Sequence, residues 1–402
     1  MKKILALVLA LALCLTAVAA VAEAPAISED FKIGVILLHD EKSTYDKNFQ
    51  DGFLEAAAEL GLTEDQYVII PNIAESEDCK NAALDLVDEG CKVVFADSFG
   101  HETYLLAAAE ECPEVQFCHA TGTMAHTAGL ANFHDAFASI YEGRYLAGVA
   151  AGMKLNEIKA AGNLKGEVPM IGYVGAFTYA EVISGYTSFY LGAKSVCPDV
   201  IMKVQFTGSW YDEMEEKSAA EALIAAGCDL ISQHADSMGA PQACENAGIP
   251  DVSYNGSTIE SCPNTFIVAS RINWAPYFKY IIEQADKGEA IDTDWVGTIA
   301  TGSVVLTDVN TAVAAEGTVE KMEEVKAGLL DGSIKVFDTA TEGFITKDGA
   351  ALTSYMADVD TDAAYTPDTE AVSDGYFHES EYRSAPYFDV QIDGIELLNS
   401  AF

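Results

Sequence analysis

The spacing of apolar and polar positions follows the same plan in two distant stretches of the chain. Residues 81–98 run NAALDLVDEGCKVVFADS, and residues 218–235 run SAAEALIAAGCDLISQHA. Each stretch has helical apolar spacing, then a Gly-Cys pair at Gly90 or Gly227, then a short apolar run typical of a buried strand. Glycine at this position is typical of a helix that ends in a left-handed residue. Both stretches therefore predict a helix, a stop and a strand.

The similarity extends upstream of both stretches. The apolar run KIGVILL at 32–38 precedes the first, and MIGYVGA at 170–176 precedes the second. Each run is followed by a helical pattern containing a Gly-aromatic pair, and then by a second strand pattern. The same β-α-β-α-β order at a nearly constant offset predicts an α/β protein with two doubly wound, Rossmann-like lobes.

Further apolar segments predict several passages of the chain between the lobes, and hence a multi-strand hinge. They are a long helix over 136–155, an extended run at 265–272 and a strand at 302–308. On this basis the N-terminal lobe comprises 25–134 and 270–303, and the C-terminal lobe comprises 135–269 and 304–402. The end of the second lobe is an extended, loop-rich tail with predicted strands at 334–338 and 387–395.

The N-terminus has the pattern of a secretory signal. Two lysines follow Met1, residues 4–19 are apolar, and small residues occupy most of the positions from 20 to 24. This order predicts a cleaved signal peptide over 1–24 and an exported protein, at the extracellular face of the membrane or in the periplasm. The alternative is a lipoprotein anchored at Cys14, although Leu13 stands where a small residue would be expected.

The net charge bears on possible binding partners, and the cysteine content bears on possible disulfides. The chain has 22 basic and 63 acidic residues, for a formal net charge of −41, so we expect no nucleic-acid partner. Eight cysteines follow the signal, with no Cys-x-x-Cys motif. Whether any of them form disulfides stays open at this point.

Ligands of doubly wound sheets bind beyond the carboxyl ends of the strands, so two facing lobes predict a cleft for a small molecule. The residues predicted at these ends are mostly aromatic rings, carboxylates and amides, and Arg271 is the main cation among them. This chemistry favours a neutral, nucleoside-like or sugar-like ligand over a phosphate-bearing one. The candidate ligand-binding residues are Tyr45, Asp46, Ser98, Phe99, Phe177, Trp210, Asp236, Asn255 and Arg271.

Motifs for catalysis and metal binding are missing from the sequence. There is no Gly-x-Ser-x-Gly, His-Glu-x-x-His or P-loop, and no Gly-x-Gly-x-x-Gly follows the first strand. His119, His126 and His134 are neighbours in sequence but lack the spacing of metal ligands. We therefore expect no enzymatic activity, no cofactor and no metal site.

Four motifs resemble those of one family. They are FASIYEGRYLAGVAAGM at 137–153, IGYVGAF at 171–177, GSWYD at 208–212 and ISQHADSMGAP at 231–241. The chain is similar, over about residues 32–310, to the basic membrane protein family of substrate-binding proteins, which includes purine nucleoside receptors of ABC importers. The resemblance implies a type I periplasmic-binding fold, no enzymatic activity and delivery of ligand to a membrane permease. We also expect the protein to be a monomer.

The family's functional residues carry over only in part. Its Ser-Phe-Asn motif corresponds to Thr44–Tyr45–Asp46, and its Gly-Val-Asp strand end corresponds to Ser253–Tyr254–Asn255. The family's lysine near the hinge has no clear counterpart, and Arg271 or Asn273 occupies that neighbourhood. The resemblance thus implies ligand capture for an importer, with the ligand left open. An extracellular sensor without a transport role is the alternative.

Overall fold

Two β-sheets, each covered by helices on both faces, organise the chain in the computed structural model, which describes residues 27–340, 344–359, 367 and 369–402. The predicted signal peptide lies outside the described residues. None of the described helices combines the length and apolar character needed to cross a bilayer.

Strands alternate with helices along most of both lobes, up to the helix Thr318–Asp331. The strands are β1 Ile33–Ile36, β2 Tyr67–Ile70, β3 Val93–Ala96, β4 Gln116–Ala120, β5 Phe133–Ala138, β6 Met170–Gly175, β7 Ile201–Phe206, β8 Leu230–His234, β9 Asp251–Tyr254, β10 Phe266–Ile272, β11 Asp294–Gly297, β12 Val304–Leu306, β13 Met356–Ala357, β14 Thr369–Glu370, β15 Val372–Ser373, β16 Tyr376–Phe377 and β17 Ile395–Leu397. The helices are α1 Thr44–Leu60, α2 Glu77–Asp88, α3 Glu102–Glu111, α4 Ala125–Ala128, α5 Ile140–Ala160, α6 Ala180–Val196, α7 Glu213–Ala225, α8 Gly239–Ala247, α9 Ala275–Lys287 and α10 Thr318–Asp331.

The two sheets share one topology. The first has the strand order β11-β5-β4-β3-β1-β2, and the second has the order β12-β10-β9-β8-β6-β7-β17. Strands β1 to β5 thus occupy the same relative positions as β6 to β10, and all of these neighbours pair in parallel. The prediction of two doubly wound lobes in an α/β fold is confirmed.

Within the described residues, the chain passes between the sheets at three places. These lie between β5 and α5, between β10 and α9, and between β11 and β12. The predicted lobe boundaries after residue 134 and before residue 270 instead fall inside β5 and β10. Both strands continue past the predicted boundaries because neighbouring strands pair with their ends. Ala138 pairs with Gly297 on β11, and Ile272 pairs with Val304 on β12.

Two strands predicted in the tail do not form. Residues 334–338 form no strand, and Asp338 pairs with Tyr376 in an isolated β-bridge; the final strand is β17 instead of 387–395. Strand β17 adds to the edge of the second sheet beside β7. The Asn399 side chain fixes this edge, because it accepts from the Phe206 N–H at 2.7 Å and donates to the Phe206 carbonyl at 2.8 Å.

The helices α5 and α6 approach each other unusually closely within the second lobe. A Cβ atom added at Gly148 would lie 2.0 Å from the carbonyl oxygen of Phe189, and one added at Gly192 would lie 2.0 Å from that of Tyr145. Each helix therefore contributes a glycine where the backbone of the other passes. This contact anchors α5, which leads the chain from the first sheet into the second lobe.

The eight cysteines from Cys79 to Cys262 are all free thiols. Cys91 and Cys228, in the repeated Gly-Cys pairs, are both buried at the start of a strand, with exposed fractions of 2% and 0%. They act there as small apolar core residues.

Candidate ligand-binding site

A cavity lies between the lobes, where the carboxyl ends of the two sets of parallel strands face each other. It encloses about 340 Å³, its opening included. Half of its lining residues come from each lobe, so that a ligand held in it would contact both. The lining residues are Leu38, Tyr45, Ser98, Phe99 and Thr121 from the first lobe, and Glu181, Trp210, His234, Asp236 and Tyr254 from the second.

Direct contacts between the lobes border this cavity. The backbone N–H of Thr44 donates to the carbonyl of Asp236 at 2.9 Å. The rings of Phe99 and Tyr179 pack with centroids 5.5 Å apart. The structure is therefore a closed form of the cleft, in which the first turn of α1 touches the end of β8.

Two aromatic side chains of the lining are held in place by their own lobes. The hydroxyl of Tyr45 donates to the carbonyl of Asp97 at 2.8 Å, and its ring packs edge-on against Phe49. Trp210 packs edge-on against Phe177, with centroids 5.0 Å apart. Because these rings are already held in place, their side chains lose little conformational entropy when a flat ligand packs against them.

The carboxylate of Glu181 and the imidazole of His234 form a polar pair in the lining. Their Oε1 and Nε2 atoms are 3.4 Å apart. Burial lowers the pKa of His234, so the ring is neutral, and Nε2 carries the proton because the carboxylate only accepts. A Cβ at Gly185 would lie 2.5 Å from His234 Nδ1, so this glycine is what leaves room for the ring.

Asp236 contributes a second carboxyl group to the cavity. Its N–H donates to the carbonyl of Trp210 at 2.9 Å, which fixes both residues relative to each other. Burial raises the pKa of Asp236 well above its usual value, and the neighbouring acids Asp46, Glu216 and Glu181 raise it further. A ligand that donates an N–H or O–H here would stabilise the ionised form and gain a strong hydrogen bond.

A buried cation lies one layer behind the lining. Arg144 on α5 is 0% exposed, donates to the Tyr173 hydroxyl at 2.7 Å and to Ser232 Oγ at 3.2 Å, and stacks over the Tyr254 ring at 4.8 Å. In the described part of the chain no carboxylate lies within ion-pair distance of it. Aromatic faces and hydroxyls thus solvate this charge, and it fixes the orientation of Tyr254.

Five of the nine sequence-predicted residues line the cavity: Tyr45, Ser98, Phe99, Trp210 and Asp236. The Ser98 hydroxyl donates to Glu75 Oε1 at 2.7 Å, within its own lobe.

The structure places the other four predicted residues, Asp46, Phe177, Asn255 and Arg271, outside the lining. Asp46 accepts hydrogen bonds from the N–H of His39 and the hydroxyl of Ser43; although burial acts to raise its pKa, these bonds lower it. Phe177 lies behind Trp210 and Tyr179. Arg271 donates to Asn48 Oδ1 at 3.1 Å and so links the lobes.

Five lining residues were not among the nine: Leu38, Thr121, Glu181, His234 and Tyr254. Four of them lie at or just after the carboxyl end of a strand, where ligands of doubly wound sheets bind, so their positions could have been predicted from the sequence. Glu181 is different, because it lies in the first turn of α6, after a loop whose length does not reveal which side chain points into the cleft. No pattern in the sequence singled it out.

The sequence profile of the family Bmp, described as "ABC transporter substrate-binding protein PnrA-like", matches residues 33–336. The chain belongs to this family. The Bmp family consists of substrate-binding proteins, and the matched range includes every residue that lines the cavity. The resemblance noted in the sequence is confirmed.

Among curated relatives, a purine-binding protein of Brucella abortus is 36% identical over 209 residues, 52% of this chain and 55% of the relative. A putative ABC transporter glucose-binding protein of Haloferax volcanii is 33% identical over 206 residues, 51% of this chain and 49% of the relative. The Bmp-family chain thus spans about half the length of these relatives.

Solved structures show the same fold. An ABC transporter solute-binding protein of Aeropyrum pernix has a TM-score of 0.63 at 17% identity, with 76% of this chain and 93% of that chain covered. One from Conexibacter woesei has a TM-score of 0.58 at 22% identity, with 76% and 98% covered. At these identities the likeness supports the fold of this Bmp-family protein alone.

Proposed function

We propose that the protein captures a nucleoside in the cavity between its lobes and delivers it to the permease of an ABC importer. The observation that carries this proposal is the composition of the lining. Aromatic rings come from both lobes, two carboxyl groups and a neutral histidine stand between them, and none of the described lining residues is Lys or Arg.

The rings favour a flat ligand. Tyr45 and Phe99 belong to the first lobe and Trp210 to the second, so a nucleobase between them would be stacked as the cleft closes. Stacking of a base on an aromatic side chain is worth about 1–3 kcal/mol.

The polar groups favour a ligand that donates hydrogen bonds. Asp236 and Glu181 can accept hydrogen bonds from ribose hydroxyls or ring N–H groups. A phosphate would meet these carboxyl groups without an Arg or Lys to neutralise it. We therefore expect nucleosides to bind far more tightly than their 5′-phosphates.

The relatives support this ligand class and also define its competitor. The Brucella abortus protein is named for purine binding, and a Lactococcus lactis relative that is 29% identical over 154 residues is named a nucleoside-binding protein. The Haloferax volcanii relative is named for glucose binding. A sugar would donate the same hydrogen bonds to the carboxyl groups but would make less contact with the aromatic rings than a nucleobase would.

Calorimetric titration of the purified mature protein tests the ligand. The panel is adenosine, guanosine, cytidine, glucose and adenosine 5′-monophosphate. We expect at least one nucleoside to bind more than about a hundredfold more tightly than glucose or the monophosphate. Tight binding of glucose with no response to nucleosides, or equal affinity for nucleoside and nucleotide, would overturn the proposal.

Variants of Asp236 and Glu213 test the assigned site. Asp236→Ala should weaken nucleoside binding by at least about tenfold, because a buried charged hydrogen bond is worth roughly 1.5–3 kcal/mol. Glu213→Ala removes an exposed carboxylate at the start of α7 and is the matched control. Unchanged affinity in Asp236→Ala would show that the nucleoside binds elsewhere.

Delivery to an importer is tested separately from binding. The nucleoside-loaded protein should stimulate ATP hydrolysis by its cognate permease and ATPase in proteoliposomes, whereas ligand-free protein should not. A ligand sensor would bind the nucleoside equally well and leave ATP hydrolysis unchanged. That result would replace the transport role with the sensor role.

Export is tested at the N-terminus of the mature protein. We expect mass spectrometry to find the chain starting after Ala22 or Ala24 and carrying no lipid. A chain that begins at a diacylated Cys14 would contradict the cleaved signal peptide and establish a lipoprotein.

A further inference from the structure

Three buried side chains with metal-ligating atoms meet in the first lobe, next to the ligand cavity. Glu102, His119 and Asp135 each offer one such atom, and these atoms all lie within 4.8 Å of one another. The three residues are 5%, 0% and 2% exposed. They come from the start of α3, from β4 and from β5, so the fold and not a local turn brings them together.

The histidine presents a lone pair to this cluster. Its Nε2 lies 2.7 Å from the carbonyl oxygen of Ser98, which only accepts, so Nε2 carries the proton and Nδ1 does not. Nδ1 is buried, and among the described residues it has no hydrogen-bond partner.

The atom that faces this lone pair is also an acceptor. Oδ1 of Asp135 lies 3.8 Å from His119 Nδ1, and it too is buried without a hydrogen-bond partner among the described residues. The other carboxylate oxygen accepts from the Ala125 N–H at 2.9 Å. Two buried acceptors that face each other are unfavourable unless a cation or a proton lies between them.

The backbone next to the pair leaves room for it. A Cβ atom at Gly122 would lie 1.9 Å from Asp135 Oδ1 and 2.7 Å from His119 Nδ1. Any other residue at 122 would displace both acceptors. The glycine therefore keeps open the space in which they face each other.

We propose that Glu102, His119 and Asp135 bind a divalent transition-metal cation, for which Zn²⁺ is the probe. Two carboxylates and a neutral imidazole balance a charge of +2, and mixed nitrogen and oxygen ligands suit Zn²⁺ better than Ca²⁺ or Mg²⁺. Histidine spacing in the sequence did not indicate this site, because two of its three ligands are carboxylates from different elements.

The cation would brace one edge of the ligand cavity. Oε1 of Glu102 accepts hydrogen bonds from the N–H groups of Thr123 and Met124, both at 2.6 Å, and Nε2 of His119 donates one to the carbonyl of Ser98. These contacts flank Thr121 and include Ser98, which both line the cavity. Metal binding is thus expected to stabilise the first lobe whether or not the ligand is a nucleoside.

The experiment measures metal in the full mature protein. Because the cluster is buried, the protein is refolded from urea with EDTA or with one equivalent of Zn²⁺, desalted and analysed for zinc. We expect about one zinc per chain and a rise in Tm of at least about 2 °C over the EDTA sample. Samples that retain no zinc and show no shift in Tm would overturn the site and leave a proton between His119 Nδ1 and Asp135 Oδ1.

Variants locate the metal. Asp135→Asn and His119→Gln should lose the zinc and the shift in Tm, while circular dichroism of their EDTA samples checks that they fold. His134→Gln is the matched control. This buried histidine precedes Asp135 on β5, and both of its ring nitrogens are already hydrogen-bonded, to the Asp292 carbonyl and to Gln116 Oε1. Full zinc retention by Asp135→Asn would place the metal elsewhere and would also overturn the proposal.

Discussion

Thr121 and Asn255 occupy equivalent positions in the two lobes and share a left-handed backbone, with φ values of 65° and 64°. Thr121 follows β4 and donates its N–H to Ala136 on β5; Asn255 follows β9 and donates its N–H to Ser270 on β10. A left-handed conformation is uncommon for residues other than glycine, and particularly for β-branched threonine. Both lobes therefore hold a strained residue at the edge of the cleft.

The strain at these two positions can be measured by comparing alanine with glycine. At each position we expect the glycine variant to be more stable than the alanine variant by about 1 kcal/mol, because only glycine adopts this backbone without a Cβ clash. Urea denaturation of the four variants gives the comparison.

Ala176 provides the control for this measurement. It follows β6 at a corresponding strand end and is not among the described residues with positive φ. Ala176→Gly should destabilise the protein by roughly 0.5–1 kcal/mol, so that at position 176 alanine is the more stable residue and glycine the less stable one. If alanine were also the more stable residue at 121 and 255, the assigned backbone strain would be wrong.

The contact between α5 and α6 depends on its two glycines. Gly148→Ala should destabilise the protein by about 1–3 kcal/mol or more, because the new methyl group would meet the Phe189 carbonyl at 2.0 Å and force the helices apart. Gly166→Ala is the matched control, since its nearest neighbour would be 3.8 Å away. Thermal unfolding of both variants tests this, and equal Tm values would contradict it.

The stacking role of Trp210 predicts a loss of affinity in a truncated variant. Trp210→Ala should weaken nucleoside binding by at least about tenfold, since stacking of a base contributes roughly 1–3 kcal/mol. Met214→Ala, four residues further on, removes a side chain that is 79% exposed and should bind normally. Calorimetry measures the affinity of both variants for the nucleoside. Wild-type affinity in Trp210→Ala would show that the tryptophan does not contact the ligand.

A pH-dependent stability is expected from Asp251. Burial raises the pKa of this carboxyl group from 3.8 to about 7, against the opposing effects of a hydrogen bond from Ser253 and the charge of Arg144. The folded state thus keeps a proton that the unfolded chain releases near pH 4. The stabilisation from this proton is fully present below about pH 4 and is lost as the pH rises to about 7.

Asp251→Asn isolates this effect, because an amide resembles the protonated acid and does not titrate. Relative to the variant, the wild type should lose up to about 1.4 kcal/mol of unfolding free energy per pH unit between pH 4 and 7. Urea midpoints of both proteins across this range provide the measurement. If the difference in unfolding free energy between the two proteins stayed constant from pH 4 to 7, Asp251 would be ionised throughout this range.

The sequence alone determined the repeated element order and many of the helix ends. Gly90 and Gly227, predicted as left-handed stops, have φ values of 89° and 94°, and Gly288 ends α9 as expected. These features are local: periodicity, capping and the freedom of glycine act over a few residues. The order of elements, repeated at a nearly constant offset, was therefore enough to predict two lobes of one plan.

Only the tertiary structure decided where strands extend and which side chains reach the cleft. Ala136–Ala138 have helical apolar spacing, yet they form a strand because β4 and β11 satisfy their backbone groups. Asp46 follows the pocket residue Tyr45 in sequence, but it is turned inward to accept from His39 and Ser43. Glu181 enters the lining because the lobes meet around it, at contacts such as that between Thr44 and Asp236, 192 residues apart. Contacts over such distances leave no periodic trace in the sequence, since they depend on how two separately folded surfaces approach.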